Sequence, residues 1–550
     1  MPMPMPARLL PLLAVLLFHL PFSSSASRHH FHITSSASPA APSAPSNAPP
    51  LAVLLACNAT RFRPACVSTL SNAGTGGNPS VSDLLAATLS TLRGRLPPAV
   101  STAKAVLAGS SNVNLTAAAN NCLTFLAVAS HRLSPTPTPS PPLISASAAL
   151  LHIYDCWSAY KYVNFSSTIA GAMVYLNDTI TINSNYISML AARQRYGDAT
   201  ARWAPPQTER DGYWPPAAAS RAVSDADVNR LGVPKGLPAN VKVCGGAGCN
   251  YNTVQKAVAA APNFGARMFV VHVKAGVYKE TVIVPLEKTN VVLVGDGVGR
   301  TVITGDLNAD TPGVSTFNTA TVGVLGDGFM ARDLTMANTA GPEKHQAVAF
   351  RSSGDRTVLD TVELQGHQDT IYAQAMRQFY TRCRVSGTVD FVFGNSAAVL
   401  HDTALVVLPR QQRPEFREDD AVTAQGRNDP AQPTGIVLRG CVVNGSDAFL
   451  ERYRQKPSLH RVYLGRPWKE YSRTVYVGCT LAEIVQPEGW MPWNGEFALK
   501  TLYYGEYDSR GAGGRDVSRR VAWSSRVPKE HVDAYSVANF IQGHEWIPKV

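Results

Sequence analysis

The chain has 550 residues, of which 45% are hydrophobic, and a formal net charge of +11. This length suits two or three domains with sizeable cores, and the scattered Pro and Gly residues exclude a collagen-like chain. The basic excess lies mostly before residue 235 and is not gathered in a stripe or arm with a recognisable motif, which excludes nucleic acid as a partner.

Residues 1–27 have the anatomy of a cleaved signal peptide. Arg8 precedes an apolar run over residues 9–22 and small residues over 23–27, a run too short to span a bilayer comfortably. A signal anchor and a buried helix are the alternatives. No later stretch is long and apolar enough to cross a membrane, so we expect a secreted chain without a stable membrane anchor. Residues 28–50, rich in Ser, Pro and Ala, are predicted to be a disordered connector.

Secretion gives meaning to the cysteines and to the glycosylation sequons. The nine cysteines include no C-x-x-C pair, and the chain has no H-E-x-x-H motif, so we expect disulfides and no metal site. Candidate N-glycosylation sequons begin at Asn58, Asn114, Asn164, Asn177 and Asn444.

Residues 51–200 carry helical patterns. Apolar positions recur with helical spacing at 84–92, 115–133, 147–163 and 168–196, and Ser82-Asp83 can cap the first of these helices. Four helices joined by short loops predict a four-helix bundle. The Pro-rich residues 201–240 are predicted to be an interdomain linker.

Residues 241–550 change to short Val- and Ile-rich runs punctuated by Gly and Asp, which predict β-strands. An internal repeat sets Gly366 over Gly387 and Asp369 over Asp390, in segments that end at Tyr372 and Phe393. One position per turn is a column of small residues: Thr361, Cys383, Thr403, Cys441 and Cys479. Such a column is typical of a parallel β-helix.

Stacked coils of about 4.8 Å spacing would gather polar side chains that are distant in sequence. The interval between Gln346 and Gln368 equals the interval between Gln368 and Asp390. It is one residue longer than the distance along the chain that separates Asp369 from Asp390 in the repeat, and Asp369 adjoins Gln368. An ideal strand would point two sequential residues to opposite sides. Either the strand bends at Gln368-Asp369, or one of the two is structural.

Two carboxylates and two carboxamides match what ester hydrolysis demands. The reaction needs a nucleophile, an acid for the leaving alkoxide and donors for the oxyanion. Close carboxylates can divide the first two tasks when an arginine keeps one of them ionised and burial keeps the other protonated.

Five motifs in this half resemble those of the pectin methylesterase family. They are G-V-Y-K-E at 276–280, Q-A-V-A at 346–349, G-H-Q-D-T at 366–370, D-F-V-F-G at 390–394 and L-G-R-P-W at 464–468. The resemblance covers nearly all of 241–548. It implies an all-β right-handed parallel β-helix catalytic domain that needs no metal or organic cofactor and acts on methyl-esterified homogalacturonan (pectin).

The resemblance also implies a role for each matching residue. Asp390 is the expected nucleophile, Asp369 the general acid and later base, and Arg466 the residue that orients and ionises Asp390. Gln346 and Gln368 are the expected oxyanion-hole pair. The expected aromatic platform for the sugar rings comprises Trp468, Tyr372, Phe391, and Trp490 or Trp493.

In the first half, Y-D-C-W-S at 154–158 is followed by Tyr162-Val163. With the four helical segments, this stretch resembles the plant invertase/pectin methylesterase inhibitor domain, an all-α four-helix bundle. This resemblance implies disulfides Cys57–Cys66 and Cys122–Cys156. The two halves together resemble a plant type I pectinesterase precursor, with an inhibitor-like domain at 51–200 and a catalytic domain at 241–550. Such a precursor acts in the cell wall, its pro-region keeps the enzyme inactive during secretion, and separate inhibitor proteins are candidate partners.

The chain departs from the family pattern in three places. It lacks the basic R-R-L-L processing motif, for which residues 193–195 and 209–211 are only rough substitutes. Thr403 stands where many members have a cysteine, so we hypothesise a Cys441–Cys479 disulfide and leave Cys383 as a buried thiol. Cys244 and Cys249 flank a Gly-rich turn and are a candidate local pair.

Two alternatives to an esterase remain open at this point. One is another pectin-active β-helix enzyme, a lyase or a glycosidase, although a glycosidase would need no glutamine pair. The other is a catalytically silent wall-binding or inhibitory protein. The five intact catalytic positions argue against silence.

Overall fold

The computed structural model describes residues 49–74, 77–134, 140–163, 166–214, 225–246, 248–410 and 417–550. The predicted signal peptide, nearly all of the predicted connector at 28–50 and the sequon at Asn164 lie outside these ranges. Within them, no helix is both long and apolar enough to cross a membrane.

The described part of the first half contains six α-helices. They are α1 (Leu51–Cys57), α2 (Arg63–Asn72), α3 (Val81–Ala108), α4 (Val113–Arg132), α5 (Pro142–Lys161) and α6 (Ser167–Tyr196). The four long helices α3 to α6 confirm the predicted bundle. Helix α3 begins earlier than Ser82: Ser80 is the cap, and it exchanges hydrogen bonds with Asp83 in a capping box.

Two disulfides hold this half together as the resemblance implied. Cys57–Cys66 joins α1 to α2, and Cys122–Cys156 joins α4 to α5. Apolar side chains of all six helices meet in one buried cluster between them. Covalent links and apolar burial therefore fix α5 against α4, which matters for the site described below.

The second half is a β-helix with short helices at its ends and in its loops. The helices are α7 (Asp225–Val228), α8 (Val254–Ala259), α9 (Asp447–Gln455), α10 (Val537–Phe540) and α11 (Gly543–Trp546). The first twelve strands are β1 (Val241–Val243), β2 (Phe269–Val273), β3 (Gly276–Lys279), β4 (Val282–Val284), β5 (Val291–Gly295), β6 (Thr301–Gly305), β7 (Val322–Val324), β8 (Met330–Asn338), β9 (Phe350–Ser352), β10 (Thr357–Gln365), β11 (Ile371–Ala373) and β12 (Arg377–Thr381). The other twelve are β13 (Arg384–Gly387), β14 (Val389–Gly394), β15 (Ala397–His401), β16 (Ala404–Val407), β17 (Glu418–Gln425), β18 (Gly435–Arg439), β19 (Val442–Gly445), β20 (His460–Pro467), β21 (Arg473–Val477), β22 (Thr480–Leu481), β23 (Tyr503–Tyr507) and β24 (Ser525–Arg526).

Every pairing between these strands is parallel, in one sheet system of 17 strands and another of seven strands in the order β20-β17-β14-β11-β9-β7-β4. In the seven-stranded sheet, Ile371 of β11 pairs with Val392 of β14. This step along the chain equals the offset that separates Asp369 from Asp390 in the internal repeat. The predicted parallel β-helix is confirmed.

The predicted column of small residues is largely confirmed. Strand registers stack Cys383 on Thr403, then on Cys441 and Cys479 in successive coils. The prediction that Thr361 begins this column is wrong, because the register of β10 with β13 sets Val362, not Thr361, beneath Cys383. Thr361 has a φ of 55° and leaves the inward face, while Val362 enters the core.

The hypothesised Cys441–Cys479 disulfide is wrong. Both thiols are free and buried, and their sulfur atoms lie 3.4 Å from the carbonyl oxygens of Leu400 and Leu438 respectively. In-register neighbours of a parallel ladder project in the same direction about 4.8 Å apart, whereas a disulfide needs Cβ atoms about 3.8 Å apart. Cys383 is likewise a free buried thiol, as predicted, and Cys244–Cys249 forms the local disulfide.

The described parts of the predicted linker contact the β-helix. Glu209 forms an ion pair with Arg473 (2.9 Å), and the Trp214 ring stacks on His531 at 4.4 Å. Val233 is fully buried, and its carbonyl oxygen accepts a hydrogen bond from Arg332. This segment therefore packs along the β-helix surface.

Polar contacts join the bundle to the β-helix within one compact unit that spans Pro49–Val550. Arg132 of α4 binds Asp327 through both terminal nitrogens, at 2.8 and 2.7 Å. Asp429 receives hydrogen bonds from Ser184 of α6 (2.5 Å) and from Arg61 (3.1 Å). The bundle is thus held against the β-helix by buried, directional contacts as well as by apolar packing.

Candidate active site

All five residues predicted to be catalytic line one cavity of about 520 Å³. The β-helix contributes Gln346, Gln368, Asp369, Tyr372, Asp390, Phe393, Ala424, Arg466, Trp468 and Trp493. The folding of the coils therefore brings together side chains that lie far apart in the sequence.

The strand bends at both aspartates. Asp369 has a φ of 69° and Asp390 a φ of 53°, in the left-handed region that L-residues seldom adopt. The register of β14 with β17 also shifts between Val389 and Val392. These local departures from strand geometry let Gln368 and Asp369, although sequential, both line the cavity. Backbone strain of this kind often accompanies functional sites.

The even spacing that grouped Gln346, Gln368 and Asp390 is not the pairing register. The ladder steps by the shorter interval of the internal repeat, so Asp369 and Asp390 occupy equivalent positions on neighbouring coils. Gln368 instead stands opposite Ala347, whose amide donates to the Gln368 carbonyl oxygen (3.1 Å). Gln346 and Gln368 still reach the cavity, and both are half-buried.

Arg466 forms a bidentate ion pair with Asp390. Its Nε donates to Oδ1 at 2.8 Å and its Nη2 to Oδ2 at 2.7 Å. Burial raises the pKa of Asp390, and the hydrogen bonds and charge of Arg466 oppose this rise. The planar guanidinium also fixes the orientation of the carboxylate.

Asp369 has no such partner. Burial raises the pKa of Asp369 well above its usual value, and the nearby charge of Asp390 raises it further. Arg466 lowers it only in part. Of the two carboxyl groups, Asp390 therefore ionises first and Asp369 keeps its proton to higher pH.

Aromatic rings form one wall of the cavity. Tyr372 and Phe393 stack with ring centroids 4.3 Å apart, and Trp468 meets the edge of both rings. Trp493 is 37% exposed and lies beneath the Arg466 guanidinium at 4.3 Å. Gly426 permits this arrangement, because a Cβ atom there would lie 2.7 Å from the Trp468 ring.

Two of the residues considered for the platform, Phe391 and Trp490, do not line the cavity. Phe391 is completely buried inside the coil, because the irregularity at Asp390 turns both Phe391 and Val392 inward. Trp490 is also in the core, where it packs on Tyr504 at 4.5 Å. Phe393 was missed, although the internal repeat aligns it with Tyr372.

The helical bundle supplies the opposite wall. Its cavity-lining residues are Asn114, Ala117, Ala118, Asn121, Phe125, Asp155, Ser158, Ala159, Tyr162 and Val163. Residues 313–317 of the β-helix add a loop at this side. No motif assigned these positions to the active site, because the bundle residues acquire their relation to the site only through docking.

The fold and the site define a parallel β-helix protein with a buried pair of carboxyl groups, one of them bound to arginine. The pectinesterase family model matches residues 240–544. Probable pectinesterase/pectinesterase inhibitor 64 of Arabidopsis thaliana is 46% identical over 506 residues, which is 90% of this chain and 84% of that protein. The chain belongs to the pectinesterase family.

Two further relatives match a little over half of this chain. Pectinesterase 2 of Citrus sinensis is 44% identical over 313 residues, which is 56% of this chain and 59% of that protein. The solved pectin methylesterase from carrot is 41% identical, with a TM-score of 0.53, over 57% of this chain and 96% of that one. The similarity to the carrot structure is therefore concentrated in a little over half of this chain.

Proposed function

We propose that this protein hydrolyses the methyl esters of polygalacturonate to free carboxylates and methanol. The observation that carries the proposal is the bidentate Asp390–Arg466 pair, in one cavity with the buried carboxyl group of Asp369. Membership of the pectinesterase family supports the same reaction. A carboxylic ester hydrolase of this kind needs neither a metal ion nor an organic cofactor.

In the first half-reaction, an Asp390 carboxylate oxygen attacks the ester carbonyl carbon. The amide groups of Gln346 and Gln368 donate to the oxyanion that develops. The bond to the methoxy group then breaks, and Asp369 transfers its proton to that oxygen. The products are methanol and an acyl anhydride between the sugar carboxyl group and Asp390.

In the second half-reaction, the ionised Asp369 removes a proton from water as the water oxygen attacks the anhydride carbonyl carbon. The bond to Asp390 breaks and releases its carboxylate, which Arg466 again binds. The sugar leaves with a free carboxyl group, and Asp369 is protonated for the next cycle. Atoms and charge therefore balance over one turnover.

The aromatic wall suits a sugar polymer. Trp468, Tyr372 and Trp493 line the cavity with Phe393, and ring faces of this size can pack against the apolar faces of galacturonate residues. We therefore assign the polymer-binding platform to these four residues.

We also propose that the chain is secreted to the cell wall with the bundle as an inhibitor-like pro-region. Bundle residues form one wall of the catalytic cavity, which supports a role in keeping the enzyme inactive during secretion. A long polymer could not cross the cavity while that wall is in place. Separate inhibitor proteins could cover the same face once the bundle has moved.

The decisive experiment uses highly methylated pectin with the full chain and with residues 235–550. Methanol and proton release are measured together, and Asp390→Asn is the matched variant. We expect one proton per methanol from residues 235–550, less of both products from the full chain, and neither product from Asp390→Asn. New reducing ends or unsaturated products without methanol would indicate a glycosidase or lyase, and pectin binding without any product would indicate a silent wall-binding protein.

A further inference from the structure

Asp155 of the bundle reaches into the catalytic cavity and contacts the β-helix there. It lies on α5, next to the Cys156 disulfide, and it lines the cavity together with Asp369 and Asp390. Its Oδ2 accepts a hydrogen bond from Gln374 Nε2 at 2.8 Å. The bundle thus places a carboxyl group in the cavity that would bind the substrate. The substrate is itself a polymer that carries carboxyl groups.

Gln374 is a preorganised donor. It follows β11 directly and is completely buried. The Ser353 hydroxyl donates to its Oε1 at 2.6 Å, so its Nε2 is directed at Asp155. A donor fixed in this way needs little reorganisation to bind another carboxyl group in the same place.

Arg351 supplies positive charge on the same face. It pairs in register with Tyr372, and its guanidinium lies 3.6 Å from the centroid of the Phe317 ring. Its Nη1 is buried without a hydrogen-bond partner, and no described carboxylate lies within ion-pair distance of it. Burial lowers the pKa of Arg351 to about 9, which Tyr372 and Asp155 partly oppose. A buried cation in this state favours a nearby anion.

Lys469 follows Trp468, which lines the cavity, and contacts the bundle. Its ammonium group is 4.8 Å from the Trp468 ring centroid and donates to the Tyr154 hydroxyl at 3.0 Å. The charges of Arg351 and Lys469 therefore both act on Asp155, in addition to the hydrogen bond from Gln374.

We propose that Gln374, Arg351 and Lys469 form a carboxylate-binding subsite of the catalytic groove, which Asp155 fills in this chain. Once the bundle moves away, an unesterified galacturonate carboxylate takes the place of Asp155. The identity of this ligand rests on the proposed function, whereas the subsite itself does not. The subsite would favour polymers with a free carboxylate near the ester that reacts.

The electrostatics of Asp155 agree with this assignment. Burial raises the pKa of Asp155 to about 7, while the Gln374 hydrogen bond and the charges of Lys469 and Arg351 all lower it. The three β-helix groups therefore stabilise the carboxylate, and the cover provided by the bundle disfavours it. When the bundle has moved away and water reaches the site, the penalty of burial is lost. The hydrogen bond from Gln374 and the charges of Lys469 and Arg351 then remain to stabilise a bound carboxylate.

The test measures binding of unesterified digalacturonate to the full chain by calorimetry. Asp155→Ala empties the subsite, and we expect it to bind digalacturonate at least tenfold more tightly than the wild type. Asp155→Asn keeps the acceptor for Gln374 and should fall between the two. Asp198→Ala is the matched control, because it removes an exposed bundle carboxylate that pairs only with Arg193. Thermal unfolding checks that each variant is folded.

A neutral digalactoside tests whether charge is recognised. We expect it to bind Asp155→Ala at least tenfold more weakly than digalacturonate does, and we expect Gln374→Leu in the Asp155→Ala background to reverse most of the gain. Equal binding of both sugars, equal binding by wild type and Asp155→Ala, or no binding by any variant would each overturn the proposal. Methanol release is assayed separately, so a loss of the esterase hypothesis would leave the binding result interpretable.

Discussion

Arg132 of helix α4 and Asp327 of the β-helix form a bidentate ion pair across the interface between the two halves of the chain. The Arg132 side chain is completely buried, and that of Asp327 is 10% exposed. Arg132 also donates to the Ser353 carbonyl oxygen (3.1 Å), and Asp327 accepts from the Asp355 amide (2.8 Å). The interface therefore contains a charge pair that neither half can satisfy alone.

Arg132→Ala should separate the bundle from the β-helix. The substitution leaves Asp327 buried without a counterion, which costs about 3–5 kcal/mol. We expect a lower thermal midpoint and more methanol release from the full chain. Arg193→Ala is the control, because its pair with Asp198 is exposed and worth only about 0–1 kcal/mol. Unchanged stability and activity in Arg132→Ala would show that this pair does not hold the bundle in place.

Arg466→Ala should move the acidic limb of the pH–activity profile to higher pH. Arg466 lowers the pKa of Asp390, so its removal raises the pH at which the nucleophile ionises. Lost positioning should also reduce kcat by about 100-fold or more. Arg466→Lys keeps the charge without the bidentate geometry and should shift the limb less. An unshifted limb in Arg466→Ala would contradict the role assigned to the pair.

Docking of the bundle should weaken as pH rises toward 7. Docking raises the pKa of Asp155 to about 7, from an ordinary value of about 4. The docked state thus holds a proton that the separated state releases. The equilibrium constant for docking therefore falls by up to about tenfold per pH unit between these two pKa values. The groups that face Asp155 are His152 and Tyr154 on α5, and Arg351, Tyr372, Gln374 and Lys469 on the β-helix.

The two neighbours on α5, His152 and Tyr154, do not change charge in that window. Burial lowers the pKa of His152 to about 3 and raises the pKa of Tyr154 to about 12. Hydrogen exchange of the α5 amides, corrected for intrinsic rates, should therefore increase from pH 5 to pH 7 in the wild type and much less in Asp155→Asn. The same increase in both proteins would assign the effect to another group.

The two tryptophans considered for the platform should affect different properties when substituted: Trp490 the stability, and Trp493 the binding of pectin. Trp490 is 1% exposed in the core, so Trp490→Ala should cost about 3–5 kcal/mol in the free energy of unfolding. Trp493→Ala should change stability by less than about 1 kcal/mol and raise KM for pectin. Urea unfolding and steady-state kinetics on both variants provide the comparison. A KM unchanged by Trp493→Ala would remove this ring from the platform.

Three of the nine cysteines should react without reductant. Alkylation of the unfolded chain should label Cys383, Cys441 and Cys479, and reduction should expose the six cysteines of the three disulfides. Intact mass counts the labels directly. A single label before reduction would indicate that Cys441 and Cys479 form a disulfide after all.

Much of this architecture could be predicted from residue patterns because a β-helix is repetitive. The alignment of Asp369 with Asp390 in the internal repeat specified both the coil length and the pairing of two carboxyl groups. The helical spacing in 84–196 likewise located the bundle, since amphipathic helices of that length leave a clear period. The five motifs then identified Gln346, Gln368 and Arg466 by resemblance rather than by spacing.

Local backbone geometry could not be predicted in the same way. Strict alternation places Phe391 and Phe393 on one face, but the left-handed turn at Asp390 separates them, so that Phe391 enters the core and Phe393 reaches the cavity. The thiols of Cys441 and Cys479 stack as the repeat predicts, yet parallel projection prevents their bond. The positions of the two rings depend on the backbone at Asp390 and on a local shift in register, which composition and period do not encode.

The sequence by itself determined the family, the β-helix and the bundle and predicted the catalytic set, because each leaves a periodic or contiguous signal. Only the tertiary structure decided that α5 closes the catalytic cavity and that Asp155 meets Gln374 inside it. Those two residues are 219 positions apart and share no motif. Their contact arises from the docking of two separately patterned halves, and no local pattern in either half records it.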